Sequence, residues 1–209
     1  MHFFIIILYP TYFSPIIHFI ALAHTNEATF EVEDNYQKQT YRTRCYIYGA
    51  NGKQLLNIPV LQGNSKQKTK DVLLDNSISW QRQHIKSMAS AYKSSPFYEF
   101  YEDDLRALLL KKHKYLLDLN LDSQELMIDN LPMEITIHRT KDFQLNYHKS
   151  VDFRFLADAK SKKKYNLPKY YQVFSDKHGF IPNLSILDLL FMEGPNAINY
   201  LENQEVEWI

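Results

Sequence analysis

The N-terminal end of the chain constrains the fold most, because it carries an uninterrupted run of large apolar side chains. Residues 3–9 are almost all β-branched, leucine or aromatic, which is the pattern of a strand buried on both faces. Pro10 and Pro15 bound the turn that follows, and residues 16–23 form a second apolar stretch. The sequence therefore predicts a buried first strand that leads into a helix.

The same segment has some features of a secretory signal peptide. Residues 1–23 are nearly free of charge, and they end in Ala21-Leu22-Ala23, which mimics a small-residue cleavage site. Against cleavage, the leading residues contain no lysine or arginine, and two prolines interrupt the apolar run. The uninterrupted part is also too short for a transmembrane helix, which needs about 20 apolar residues. We therefore expect residues 1–23 to be retained and the protein to be cytoplasmic.

Composition indicates a globular protein and gives no sign of a nucleic-acid partner. A length of 209 residues suits one sizeable core, and apolar residues make up 45% of the chain. The 24 basic and 24 acidic side chains cancel, so no overall field attracts nucleic acid or an anionic membrane. The single cysteine, Cys45, cannot form an internal disulfide, which favours a reducing compartment. The sequence identifies no cofactor and leaves the oligomeric state open.

The middle of the chain predicts a β-hairpin. Residues 45–48 and 55–60 flank Asn51-Gly52, which is the strongest short hairpin signal. Four shorter runs have strand-like patterns: residues 29–32, 72–74, 133–139 and 170–174.

Helical spacing of apolar residues recurs through the rest of the chain. Four stretches show it: residues 78–92, 100–119, 121–131 and 197–201. The second and third are separated by a break near Asn120 and are expected to pack as a helical hairpin. A further helix begins at Ser185, a good N-cap, and ends at Gly194-Pro195.

The predicted fold class is α+β. We expect a single mixed domain over residues 1–209, with an N-terminal strand, a central β-hairpin and several packed helices. Two polar stretches that contain lysines, residues 62–70 and 142–167, are expected to be flexible.

Four blocks of sequence, in order along the chain, carry a resemblance to a known family. They are residues 9–19 (YPTYFSPIIHF), residues 35–45 (NYQKQTYRTRC), residues 80–97 (WQRQHIKS, then AY and SPF) and residues 180–195 (FIPNLSILDLLF, then GP). In this combination the chain resembles the WbqC-like family, although Thr43 stands where asparagine is expected. The resemblance implies a place in O-antigen or other surface-polysaccharide biosynthesis. It carries over no catalytic residues.

A basic segment before the hairpin is the predicted substrate-binding region. Lys38, Arg42 and Arg44 lie at even spacing, so an extended segment would project them from one face. Arginine binds phosphate or carboxylate oxygens through two parallel donors, which fits the diphosphate of a nucleotide-linked sugar. A solvated strand face with ordinary ion pairs explains the same spacing. Tyr92 joins the predicted substrate-binding residues because a flat ring can stack on a sugar.

His84 is the predicted general acid or base, because imidazole titrates near neutral pH and responds to small changes in its surroundings. It lies between Trp80 and Met88 at four-residue steps on one helical face. A histidine in such a position is more often a satisfied core residue. Asp118 would orient His84 only if the fold brings the two together.

Other catalytic signals are weak. Cys45 follows Arg44, and a nearby cation favours the reactive thiolate. A lone cysteine in a strand is nevertheless usually a small buried apolar group. The sequence contains no glycine-rich phosphate loop and no zinc-type spacing of cysteine and histidine. Metal and nucleoside-triphosphate chemistry are disfavoured.

Two functions of different classes are open. The first is an enzyme that transfers a group onto a sugar or nucleotide sugar, with Lys38, Arg42 and Arg44 on anionic oxygens and His84 handling the proton. The second is a non-catalytic accessory or scaffold protein, in which the basic residues 66–70 or 160–164 dock an acidic partner in a salt-sensitive way. A concave pocket that contains His84 and the arginines would favour the enzyme.

Overall fold

A computed structural model describes residues 5–61, 66–147, 150–206 and 208. The helices and strands are, in chain order, β1 (Ile6–Leu8), α1 (Ile16–Ala23), β2 (Glu27–Phe30), β3 (Arg44–Gly49), β4 (Gly52–Asn57), β5 (Val60–Leu61), β6 (Leu73–Leu74), α2 (Trp80–Tyr92), α3 (Tyr98–Leu110), α4 (Leu116–Asn130), β7 (Thr136–Arg139), β8 (Val151–Asp152), α5 (Ser175–His178), α6 (Ile186–Glu193) and α7 (Ala197–Glu202). Short 3₁₀ turns occur at Thr69–Asp71, Arg154–Ala157 and Gly194–Asn196.

A four-stranded parallel sheet forms the centre of the molecule. The strand order is β7-β2-β1-β8, and every pairing in this sheet is parallel. Strand β1 is fully buried, and helix α1 makes the crossover to β2 that a parallel pair requires. Since the strands run in one direction, the residues that follow them meet at one edge of the sheet, which we call the carboxyl edge.

The predicted hairpin is formed by β3 and β4. Gly49 pairs with Gly52, so Ala50 and Asn51 make the connecting loop, one residue earlier than the sequence signal places it. Gly52 has a φ of +94°, a conformation that favours glycine. Strands β5 and β6 form a second, smaller antiparallel ribbon.

Helix α6 begins where the sequence predicts, whereas one predicted helix break is wrong. Helix α6 begins after Ser185, whose hydroxyl accepts a hydrogen bond from the backbone N–H of Leu187 at 3.3 Å. The interruption predicted near Asn120 lies instead at residues 111–115, between α3 and α4. Asn120 does not break α4 because its buried side-chain amide donates to the carbonyl oxygen of Pro10 at 3.4 Å.

The strand predicted over residues 170–174 is also wrong, because this segment is irregular. Its polar side chains bond elsewhere: the Tyr170 hydroxyl and the Gln172 amide both donate to Oδ2 of Asp188. A buried carboxylate on α6 therefore fixes this segment in place of a β-ladder.

The expected flexibility of residues 62–70 and 142–167 stays a prediction. Residues 62–65 and 148–149 lie outside the described residues. In the described part of the second stretch, the buried Arg154 side chain donates to the backbone carbonyls of Gln144 and Leu145.

The fold class is confirmed as a single mixed domain with an N-terminal strand, a central hairpin and several packed helices. Its core joins side chains of β1, α1, the hairpin, α2 and α6 in one cluster. None of the helices in the described part of the chain combines the length and apolar character needed to cross a membrane.

Candidate functional site

Residues 31–43 connect β2 to β3 and run past the carboxyl edge of the sheet. The Tyr41 carbonyl accepts from the backbone N–H of Tyr12, after β1, and the Tyr41 N–H donates to the carbonyl of Ala157, after β8. In open parallel sheets, ligands bind in the crevice beyond the carboxyl ends of the strands. This segment is therefore in a position where a site is expected.

The predicted single face of Lys38, Arg42 and Arg44 is wrong. Turns at residues 38–39 and 41–42 reverse the chain, and Gln39 adopts a φ of 62°. The backbone is not extended, so side chains at even spacing do not point the same way. Lys38 is exposed, Arg44 is partly exposed, and Arg42 is only 1% exposed.

Arg42 belongs to a buried group that we call the Asp34–Arg42 cluster, made of Tyr9, Asp34 and Arg42. Its Nη2 atom donates to Oδ2 of Asp34 at 2.6 Å. Its guanidinium carbon lies 3.9 Å from the centroid of the Tyr9 ring, which is a cation–π contact. Burial raises the pKa of the Asp34 carboxyl, and the adjacent Arg42 charge partly opposes this. Arg42 is thus compensated inside the protein.

A second ion pair lies beside this cluster at the carboxyl edge. Arg154 donates to both carboxylate oxygens of Asp152, with the shortest distance 2.6 Å from Nη2 to Oδ2. The buried Glu31 accepts from the hydroxyls of Thr140 and Tyr147 at 2.8 and 2.7 Å. These charges are also compensated within the fold.

Arg44 and Lys38 have different surroundings, in what we call the basic cavity. It has a volume of about 360 Å³, and its described lining contains no acidic residue. The lining is Tyr36, Lys38, Gln39, Thr43, Arg44, Asn57, Ile58, Pro59 and Val60. Arg44 begins β3 opposite Asn57 of β4, and its Nε atom is buried without a hydrogen-bond partner in the described structure. The hairpin therefore holds an unpaired guanidinium against a polar cavity.

Tyr36 lines both the basic cavity and a second one, which we call the carboxylate cavity. This cavity measures about 270 Å³ and is lined by Tyr9, Asp34, Asn35, Tyr36, Gln37, Lys68 and Phe143. Burial raises the pKa of the Tyr36 hydroxyl, while a hydrogen bond from Thr43 and the charges of Arg42 and Arg44 lower it.

Asp34 is the functional candidate that the sequence did not reveal. Its Oδ1 atom is buried and makes no hydrogen bond of good geometry, although the Thr69 hydroxyl is near enough to lower the pKa of the carboxyl. A single aspartate in a polar stretch carries no local signal. Only the turns at residues 38–42, which bring Arg42 back onto it, identify it.

His84 lies in the core rather than in a cavity. It is 3% exposed, its Nδ1 accepts from the Tyr12 hydroxyl at 2.9 Å, and its Nε2 donates to the carbonyl of Asn57 at 3.2 Å. Desolvation lowers the pKa of His84 to about 4. The structure therefore does not bring His84 together with the arginines, and its catalytic role stays a prediction. His84 does support the backbone of Asn57, whose residue lines the basic cavity.

Tyr92 and Cys45 are also buried away from the two cavities. The Tyr92 hydroxyl donates to Oδ1 of Asp188 at 2.7 Å and accepts from the backbone N–H of Tyr48 at 2.8 Å. Burial raises the pKa of the Cys45 thiol well above its usual range, which is the opposite of what a nucleophile needs. Among the described residues, no group of three histidine, cysteine or acidic side chains could hold a metal ion.

These features define a mixed α and β protein with a basic cavity beside the carboxyl edge of a parallel sheet. The sequence profile of the WbqC-like protein family matches residues 10–166 and 159–200, so the chain belongs to this family. It is also similar to the uncharacterized protein Rv1507c of Mycobacterium tuberculosis, with 23% identity over 211 residues that cover 88% of this chain and 91% of that protein. No solved structure matches the chain.

Proposed function

We propose that the protein is an enzyme of O-antigen or other surface-polysaccharide biosynthesis that binds a nucleotide sugar and transfers a group onto its sugar. The observation that carries this proposal is the unpaired Arg44 guanidinium in the basic cavity, with Lys38 beside it. Arg44 is partly exposed and takes part in none of the ion pairs found among the described residues, so its charge is available to an anionic ligand. The diphosphate of a nucleotide sugar offers several such oxygens, and arginine can bind two at once.

The carboxylate cavity supports the group-transfer step of the proposal, because it contains a candidate base. In group transfer onto a sugar, the hydroxyl oxygen or amine nitrogen forms a bond to the transferred group. The leaving group departs with its electron pair, and a base takes the proton from the oxygen or nitrogen. Arg42 holds Oδ2 of Asp34, and Oδ1 is left for such a proton. We therefore assign the proton to Asp34, with His84 as the alternative. Tyr9 and Tyr36 line the same cavity.

A thermal-shift titration tests the proposal. The purified full-length protein is titrated with UDP-N-acetylglucosamine, GDP-mannose and dTDP-glucose, and with free nucleotides and acyl and aminoacyl donors. A ligand that binds only the folded state raises its melting temperature saturably. We expect at least one nucleotide sugar to do so, and Arg44→Gln to remove the shift.

The matched control is Lys86→Gln, which removes one exposed positive charge from α2. It should leave the shift unchanged, because Lys86 lines neither cavity. An undiminished shift in Arg44→Gln would contradict the proposed site.

The accessory function has one observation in its favour. Lys160, Lys162 and Lys164 are exposed, and none of the ion pairs found among the described residues involves them. A response to none of the ligands, together with salt-sensitive binding to an acidic partner that the Lys160→Glu, Lys162→Glu variant loses, would favour a scaffold.

A further inference from the structure

A third and larger cavity lies between the β5–β6 ribbon, the start of α2 and the end of α3. It measures about 660 Å³ and shares no lining residue with the basic or the carboxylate cavity. We call it the leucine groove. This volume is within the range of about 300–1,000 Å³ that is usual for small-molecule sites.

The apolar part of the groove is aliphatic. Its floor and walls come from Leu61, Leu73, Leu74, Ile78, Leu109 and Leu110. Leu61, Ile78 and Leu110 are 47%, 54% and 51% exposed, so three large apolar side chains border one concave surface. Single exposed leucines need no explanation, but a contiguous apolar patch marks an interaction site. No phenylalanine, tyrosine or tryptophan is among the described lining, and the one ring there, that of His113, is buried, so the groove has no exposed aromatic face for a sugar or base to stack on.

The polar part of the groove is entirely basic or neutral. Arg82, Lys111, Lys112, His113 and Lys114 contribute to the lining, and none of the described lining residues is acidic. Lys111 and His113 are already used, since both donate to Oδ2 of Asp122. Arg82 and Lys112 are exposed and take part in no ion pair within the described residues. Their charges complement an anion at the rim.

We propose that the leucine groove binds a monomeric amphipathic anion, a single aliphatic chain that ends in a phosphate or carboxylate. The chain lies on the exposed leucines and Ile78, and the head group contacts Arg82 and Lys112. This site is independent of the basic cavity. It gives the protein a second ligand of a different chemical class from a nucleotide sugar.

Isothermal titration calorimetry tests whether the aliphatic chain of the ligand enters the groove. The full-length protein is titrated with hexyl, octyl and decyl phosphate, each below its critical micelle concentration. Each methylene that enters the groove should tighten the dissociation constant by about four-fold. Ile78→Asp should weaken the binding of decyl phosphate by about ten-fold or more, because it places a charge on the apolar surface. Equal affinity for the three chain lengths would overturn the proposal.

A charge-reversal pair tests the head group. Arg82→Glu with Lys112→Glu should weaken the binding of decyl phosphate by at least about ten-fold. Carboxylates with hexyl, octyl and decyl chains should bind wild type with the same dependence on chain length as the phosphates. The matched control, Lys160→Glu with Lys162→Glu, changes the net charge equally on exposed residues outside the groove. If both double variants weaken the binding of decyl phosphate equally, the effect comes from the overall charge of the protein, and the proposed site is wrong.

Two further arms separate this occupant from others. Binding to anionic phospholipid vesicles or to poly-glutamate, without saturable binding of decyl phosphate, would identify a membrane or a protein partner and overturn the proposal. Arg44→Gln should bind decyl phosphate as wild type does. This result keeps a failure of the nucleotide-sugar site distinguishable from a failure of the leucine groove.

Discussion

The Asp34–Arg42 cluster and the basic cavity contain arginines only two residues apart in the chain, yet their surroundings differ completely. Arg42 is 1% exposed, paired with Asp34 and stacked on Tyr9, so its charge is compensated by the protein itself. Arg44 lines an open cavity with no acidic neighbour in its described lining. A compensated buried charge holds a fold together, whereas an uncompensated one is available to a ligand. This comparison separates a structural arginine from the arginine to which we assign ligand binding.

The largest expected effect is on stability and concerns the Asp34–Arg42 cluster, in which the charge is compensated. Arg42→Met should lower the free energy of unfolding by about 3–5 kcal/mol, because it leaves the Asp34 carboxylate buried without its partner. Urea denaturation monitored by circular dichroism measures the change. Arg44→Gln is the matched control. A loss below about 1 kcal/mol for Arg42→Met would mean that Arg42 is not a structural residue.

The next effect concerns the pH dependence of stability and the role of His84. Burial lowers the pKa of His84 from 6.5 in the unfolded chain to about 4 in the folded protein. Between these values the unfolded chain binds more protons, so stability falls as the pH falls from 6.5 towards 4, by an amount on the order of 3 kcal/mol. His84→Gln should reduce this slope. Part of the slope should remain in this variant because burial also lowers the pKa of His18, to about 3.

Denaturation midpoints of wild type and His84→Gln between pH 7.5 and 4.5 provide this test. The sequence-based hypothesis instead expects His84→Ala to abolish turnover and leave the fold intact. A variant with an unchanged pH slope, unchanged stability and no activity would support that hypothesis over the structural role.

A third prediction extends the comparison to a carboxylate that is compensated without a cation. Asp188 accepts hydrogen bonds from Tyr92, Tyr170 and Gln172. Asp188→Asn replaces one acceptor oxygen with an NH₂ group, which cannot accept the hydrogen bonds that these donors offer. We therefore expect the free energy of unfolding to fall by about 2–3 kcal/mol. Glu202→Gln, an exposed change on α7, should cost almost nothing in the same urea titration. Equal stability of the two variants would show that this buried network is dispensable.

The smallest effect is expected for the uncompensated arginine. Arg44→Gln should change the free energy of unfolding by no more than about 0.5 kcal/mol, because no ion pair among the described residues is lost. The same variant should lose nucleotide-sugar binding. A destabilisation of more than about 2 kcal/mol would place Arg44 with Arg42 as a structural residue and remove the distinction between the two regions.

Local signals predicted the elements that depend on a few neighbouring residues. The apolar run after the N-terminus, the hairpin at Asn51-Gly52 and the Ser185 cap each depend on such contacts, and the corresponding elements are present. The order of the parallel sheet could not be predicted, because β1 pairs with β8 and β2 with β7 across more than a hundred residues of sequence. Parallel pairing leaves no turn signal between partners.

The site was only partly predictable for the same reason. The residue types of Lys38 and Arg44 indicated an anion site, and both line one cavity. The burial of Arg42 depends on two turns and a positive φ at Gln39, which even spacing does not reveal. For His84 the four-residue steps with Trp80 and Met88 already indicated the packed face of a helix, and the structure places all three in the core.

The most direct test of this account is a crystal structure of the protein with the nucleotide sugar that gives the largest thermal shift. We predict that the diphosphate oxygens lie within hydrogen-bond distance of Arg44 and Lys38, while Arg42 stays paired with Asp34. A diphosphate bound elsewhere, for example against Arg82 and Lys112, with Arg44 still unpaired, would contradict the assignment of the basic cavity as the substrate site.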